Sequence, residues 1–255
     1  FVLTDKNSAE ILGLCRELKI PYYAGNPRNG KALQAIPRAH CDVLLSVNYL
    51  FVVENDLLAL PKKLALNFHG SLLPKYRGRT PHVWAIINGE KETGITAHLM
   101  DTGCDTGDII SQKKIPISSI DTGGTILAQF NELYPPFISE VLNSIRTNTF
   151  SLRKQNEEHA TCFEKRTASD GGIDWNWTRE RIYNWVRAQT KPYPGAFTHF
   201  NGHEMKVYAV RYHDCGGKEA EFNGKIVGSE NKLPIVKVAD GCILITDLTC
   251  DITPQ

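Results

Sequence analysis

Asn67-Phe68-His69-Gly70-Ser71-Leu72-Leu73-Pro74-Lys75-Tyr76-Arg77-Gly78-Arg79-Thr80-Pro81 is the densest run of chemistry-bearing residues in this 255-residue chain. Its first residues close a short apolar stretch, 64–68, that reads as a strand, so Asn67 and His69 stand at that strand's C-terminal end. In open α/β sheets, ligands bind in the crevice outside the carboxyl ends of the strands. The glycines and prolines that follow dictate a shaped loop rather than a helix. Lys75, Arg77 and Arg79 set three positive charges within five residues.

Upstream, Asn7-Ser8 offers a helix N-cap, followed by Ile11, Leu12, Leu14, Cys15 and Leu18 at mainly helical spacing. Pro21-Tyr22-Tyr23 is a short extended piece. Residues 42–47 form a near-continuous apolar run, the pattern of a strand buried on both faces. Leu57, Leu58 and Leu60 predict a short helix ended by Pro61. Downstream, 82–88 reads as a helix, 93–99 and 109–117 as strands, and 123–145 as a long helix broken or bent at Pro135-Pro136. This alternation predicts an α/β, Rossmann-like fold with a mostly parallel sheet and helices on both faces, over 1–150. The character then changes. Residues 178–189 predict one amphipathic helix, and the rest reads as hairpins. Asn201-Gly202 joins 196–200 to 204–212, and Asp240-Gly241 joins 235–238 to 243–246. A small antiparallel, OB-like β subdomain is therefore expected over 151–255.

Apolar residues make up 42 % of the chain, charged residues 22 %, and the formal net charge is +1. That balance is ordinary for a globular protein and argues against nucleic acid as the main partner. The seven cysteines are irregularly spaced without a Cys-x-x-Cys pair, which reads as small buried side chains in a reducing compartment and not as a zinc site. No apolar run approaches the ~20 residues of a membrane span, and no signal peptide is visible, so a cytoplasmic location is expected. Phe1-Val2-Leu3 reads as the tail of a strand already under way.

A second polar loop, Asp101-Thr102-Gly103-Cys104-Asp105-Thr106-Gly107-Asp108, follows the strand at 93–99. It lacks the ligand register and terminal Glu of a calcium loop. Each of these residues also has a plain structural use. His69 can be a satisfied structural histidine, Asp105 a turn former, Asn67 a backbone cap, and the basic run a solvated loop. Taken alone, the residues define a polar site at the sheet's carboxyl edge.

The two loops together resemble the 10-formyltetrahydrofolate-dependent formyltransferases. That family carries Asn-x-His after a strand, then Ser-Leu-Leu-Pro and a Gly, with a catalytic Asp on a second loop. Asn67 to Pro74 fits the first motif, and 101–107 fits the second with Asp105 at the catalytic position. The extended form His69 to Arg79 is similar to the sugar-nucleotide N-formyltransferases, as are Ala160-Thr161-Cys162-Phe163, Val186-Arg187-Ala188 and Pro192-Tyr193-Pro194-Gly195-Ala196-Phe197. That branch includes enzymes acting on dTDP-4-amino-4,6-dideoxyhexoses and on UDP-4-amino-4-deoxyarabinose. The resemblance covers most of 1–210. The family opens with a strand–loop–helix unit ahead of the position of Phe1, so its first strand is not represented.

The resemblance implies formyl transfer from 10-formyltetrahydrofolate, the co-substrate, to an amine for O-antigen or lipopolysaccharide synthesis, without a metal. Residues 1–150 become the catalytic domain. Acyl transfer needs an oxyanion donor and a proton acceptor, roles open to Asn67, His69 and Asp105. The resemblance lays the pterin along Leu50, Phe51, Val52 and Val53 and the loop Asp101 to Asp105, although the sequence by itself favours plain strand-end packing for the first four. Ser71, Lys75, Tyr76, Arg77 and Arg79 become candidates for the pyrophosphate and sugar. Tyr193, with Trp84 or Phe197, is a candidate for stacking on the base, and core packing is an equal account of these rings. The branch implies a homodimer. The competing readings are methionyl-tRNA formyltransferase, glycinamide ribonucleotide formyltransferase, and a catalytically idle binding module.

Overall fold

The computed structural model describes residues 1–36 and 41–250. In chain order the elements begin β1 (Val2–Thr4), α1 (Ala9–Glu17), β2 (Tyr22–Ala24), β3 (Cys41–Val47), α2 (Asn55–Leu58), β4 (Pro61–His69), β5 (Arg77–Gly78) and α3 (Pro81–Ile87). They continue β6 (Glu92–Leu99), β7 (Ile109–Pro116), α4 (Gly123–Arg146), β8 (Cys162–Phe163) and α5 (Arg179–Gln189). The chain ends in β9 (Ala196–Phe200), β10 (His203–His213), β11 (Ile226–Glu230), β12 (Leu233–Val238) and β13 (Gly241–Cys250). The α4 helix runs on through Pro135 and Pro136, where the sequence predicts a break or bend. Two compact units form. One comprises Phe1–Arg77, Ile95–Lys113 and Phe137–Thr161; the other comprises Gly78–Gly94, Lys114–Pro136 and the chain from Cys162 onward. Among the described residues no helix is long and apolar enough to cross a membrane.

In the first unit, β1 and β2 pair in parallel, and a separate sheet runs in the order β3-β4-β6-β7. The β3 strand is parallel to β4, and β6 is antiparallel to it, so the α/β layer is mixed. Side chains alternate along β4. Phe68 turns to one face and meets Phe137 edge-to-face at 5.7 Å, while Asn67 and His69 turn to the other. The apolar run at 42–47, expected to be buried on both faces, is only partly covered. Leu45 and Val47 remain 38 % and 37 % exposed, because β3 lies at the edge of its sheet.

In the second unit the C-terminal strands form one antiparallel sheet, ordered β11-β12-β13-β10-β9. The β9–β10 turn uses Asn201 (φ 49°) and Gly202 (φ 81°), the paired left-handed conformations that Asn-Gly favours. The Thr178 hydroxyl accepts from the Arg181 amide and caps α5. Ile182 and Val186 of α5 pack on Ala196, Val207, Val238 and Ile243. Cys215 and Cys242 are joined in a disulfide within this sheet region, against the reading of all seven cysteines as reduced.

His82 of α3 is buried in the second unit, with Phe130 edge-to-face at 5.7 Å and its Nε2 2.6 Å from the Tyr193 hydroxyl. Burial pushes the Tyr193 hydroxyl up to about 12, so it stays protonated and donates to the ring. Burial lowers the His82 imidazole to about 4. Above the ordinary histidine value near 6.5 neither the folded nor the unfolded ring binds a proton, and this contribution to stability is fully present. As pH falls from there toward about 4, only the unfolded ring protonates, and the contribution is lost. His82→Gln keeps an acceptor for Tyr193 without titrating. Urea unfolding at pH 7 and pH 4.5 should show the parent chain losing roughly 2–3 kcal/mol more than the variant over this interval. Equal losses would contradict the assignment.

Candidate active site

The β4–β6 register sets Asn67 opposite His98 and His69 opposite Thr96. Residues directly opposite on an antiparallel pair share a face, so these four side chains form one polar patch. Thr96 donates its hydroxyl proton to the Ser71 carbonyl at 2.6 Å and accepts from the Leu73 amide at 3.1 Å, holding the loop that leaves β4. Ser71 is fully buried, and its hydroxyl donates to the Lys75 carbonyl at 2.7 Å.

Asp105 reaches this patch from the second loop with φ 56°, in the left-handed region. Its Oδ1 accepts from Asn67 Nδ2 at 3.2 Å, and its Oδ2 lies 3.5 Å from His69 Nδ1. The second amide proton of Asn67 points to His98 Nε2 at 3.2 Å. His98 Nδ1 stands 2.7 Å from the Leu99 carbonyl, which accepts only, so Nδ1 carries the proton and Nε2 is the acceptor for Asn67. The same reasoning settles His69. Its Nε2 is 2.7 Å from the Tyr76 carbonyl and must donate, which leaves the Nδ1 lone pair facing Asp105. Burial lowers the His69 value, against the opposing pull of Asp105 and the Tyr76 carbonyl, with His98 adding to the lowering. A neutral imidazole whose only basic nitrogen faces a carboxylate can exchange one proton with it.

The two motif loops that the sequence singles out thus meet: Asp105 contacts both Asn67 and His69. His98 completes the group and was not singled out. A histidine inside a strand looks like any other, and its place opposite Asn67 depends on the antiparallel β4–β6 pairing. Gln155 was missed as well; its amide donates to the Asp105 and Gly107 carbonyls.

The remaining expected residues are placed differently. Asp101 Oδ1 accepts from the Gly103 amide at 3.0 Å and the Thr106 hydroxyl at 2.6 Å, shaping the second loop. Leu50 and Val52 are 46 % and 57 % exposed, with Phe51 edge-to-face on Tyr49 at 5.7 Å. Tyr76 is buried, and its amide donates to the Thr161 hydroxyl. Arg77, expected as a phosphate ligand, is 6 % exposed and grips Glu157 and Gln155. Lys75 and Arg79 are exposed. In the second unit, Tyr193 holds His82, Trp84 packs on Phe163 at 4.8 Å and under Arg166, and Phe197 contacts His199 and Lys206.

The chain as a whole is similar to known proteins. The formyl transferase family profile matches residues 6–142, and the formyl transferase C-terminal domain profile matches residues 165–251. The chain is 37 % identical over 210 residues, 82 % of its length and 67 % of the relative's, to the methionyl-tRNA formyltransferase of Ruminiclostridium cellulolyticum. It is 34 % identical over 237 residues, 93 % of its length and 75 % of the relative's, to that of Caldanaerobacter subterraneus subsp. tengcongensis. Its fold is similar, with a TM-score of 0.67 at 21 % identity, to an N-formyltransferase from Helicobacter canadensis solved with folinic acid and dTDP-3-aminofucose, covering 96 % of this chain and 97 % of that one. The chain belongs to the formyl transferase family, and it is an N-formyltransferase.

Proposed function

We propose that this chain transfers the formyl group of 10-formyltetrahydrofolate to the primary amine of a nucleotide-linked amino sugar, a dTDP-4-amino-4,6-dideoxyhexose, with residues 1–150 carrying the chemistry. The observation that carries the choice of acceptor is the near-neutral balance of the chain, 29 basic against 28 acidic residues. A tRNA acceptor calls for a broadly basic surface, since phosphate neutralisation dominates its affinity. The Helicobacter canadensis enzyme, solved with a folate and a dTDP-amino sugar, supports the pairing of ligands. With Arg77 turned inward, Lys75 and Arg79 are the residues of the basic run assigned to the pyrophosphate. Leu50, Phe51, Val52 and Val53 with the loop from Asp101 are assigned to the pterin, whose flat apolar face suits exposed Leu50 and Val52.

In the reaction the neutral amine attacks the formyl carbon, a C–N bond forms, and the carbonyl oxygen becomes an oxyanion. Asn67 Nδ2 redirects to that oxygen one of the two hydrogen bonds it donates to Asp105 and His98. The proton released by the amine goes to His69 Nδ1, because Nε2–H is committed to the Tyr76 carbonyl. Asp105, 3.5 Å from that nitrogen, relays it toward the folate nitrogen as the old C–N bond breaks.

A second reading, formylation of methionyl-tRNA, is favoured by the 34–37 % identity to two methionyl-tRNA formyltransferases. The test incubates the protein and 10-formyltetrahydrofolate with dTDP-4-amino-4,6-dideoxyglucose, UDP-4-amino-4-deoxyarabinose and methionyl-tRNA. N-formylated dTDP-sugar is expected. Formyl-methionyl-tRNA alone, formed with a steep salt dependence, would move the assignment to the second reading. On the productive acceptor, Asn67→Ala should lower kcat roughly 100–1,000-fold. An unaltered kcat would remove Asn67 from the chemistry.

A further inference from the structure

We propose that Gln155 is a positioning residue for Asp105, and that Arg77 holds Gln155 in the one orientation that does this. The proposal rests on the reading that Asp105 takes part in the transfer. Gln155 Nε2 donates both its protons, one to the Asp105 carbonyl at 2.8 Å and one to the Gly107 carbonyl at 2.8 Å. Its Oε1 accepts from Arg77 Nε at 3.2 Å and Nη2 at 2.8 Å. Arg77 also grips Glu157 with two hydrogen bonds, at 2.8 and 2.7 Å. A guanidinium only donates and a carbonyl only accepts, so the amide cannot be turned over without facing donor to donor and acceptor to acceptor.

The placement follows from the strand geometry. Ile109 and Arg153 exchange both backbone hydrogen bonds, at 2.8 and 2.9 Å. Two residues outward on each side, this antiparallel register brings Gln155 opposite Gly107. The loop it holds has little slack. A Cβ at Gly107 would stand 2.0 Å from the Leu99 carbonyl oxygen. Asp105 itself sits at φ 56°, a conformation that persists in a non-glycine residue only when its surroundings hold it. The Arg77–Gln155 pair thus ties the loop leaving β4 to the loop bearing Asp105. It sets the distance between the carboxylate and His69 Nδ1 through the backbone of the loop.

The test compares Gln155→Glu, Gln155→Met and Asp105→Ala in the full chain. Steady-state kinetics use 10-formyltetrahydrofolate and dTDP-4-amino-4,6-dideoxyglucose, or methionyl-tRNA if that is the acceptor turned over. Gln155→Glu keeps the acceptors for Arg77 but turns a carboxylate oxygen toward the two loop carbonyls in place of the donors, so its thermal midpoint should fall below that of the parent. Gln155→Met removes both and decides the matter if Gln155→Glu does not fold. Displacement of a catalytic group by about 1 Å costs on the order of 100-fold, so kcat should fall roughly 10–100-fold in both variants, with the KM for 10-formyltetrahydrofolate unchanged. Exposed Lys154→Ala should leave kcat as it was. If Asp105→Ala is inactive while both Gln155 variants keep the parent kcat, or change KM alone, the positioning role is wrong. If Asp105→Ala stays active, the catalytic reading falls, and this proposal with it.

Discussion

The site is organised by one carboxylate. Asp105 meets the Asn67 amide at 3.2 Å and the His69 and His98 rings at 3.5 Å each. A carboxylate with few solvent contacts is stable only when its oxygens are matched by donors. Here Oδ1 accepts from Asn67 on β4 and Oδ2 from the Cys104 thiol, while the His69 and His98 rings approach from β4 and β6, so the arrangement depends on the β4–β6 register. A one-residue slip of β4 would turn Asn67 and His69 to the face that Phe68 now occupies and take both away from Asp105.

The hydrogen-bond capacities then constrain the chemistry. Tyr76 takes the Nε2 proton of His69, and Leu99 takes the Nδ1 proton of His98. The two buried rings are therefore held in opposite tautomers. One presents a lone pair to Asp105, and the other presents a lone pair to Asn67. Burial keeps His69 neutral, which is the state a proton acceptor needs.

Much of this was legible in the sequence because it is local. The strand ending at His69, the helix of α5 with its Thr178 cap, and the Asn201-Gly202 hairpin each follow from short patterns with a steric cause. The apolar run 64–68 set Asn67 and His69 at a strand's end, and the match of both loops to a family pattern joined them with Asp105 as one site. What was not legible depends on pairing between distant segments. The His98 and Gln155 assignments need strand registers that no single segment encodes. Arg77 looked like a phosphate ligand because a basic residue in a Gly-rich loop is ordinarily solvated; the segment carrying Gln155 and Glu157 encloses it. The β11–β12 turn was missed because Asn231 and Lys232 adopt the left-handed conformation without a glycine to announce it. The disulfide joining Cys215 to Cys242 was equally invisible, since irregular cysteine spacing does not reveal which pairs approach.

The central claim is that His69 is neutral, protonated on Nε2, and basic only at Nδ1 toward Asp105. The most direct measurement is histidine nitrogen-15 NMR on the folded protein across pH, with His69 assigned by loss of its signals in His69→Asn. The account predicts that at pH 7 His69 shows a protonated Nε2 and an unprotonated Nδ1, and that it becomes imidazolium only below the ordinary histidine value near 6.5. An Nδ1-protonated tautomer, or an imidazolium at pH 7, would contradict it.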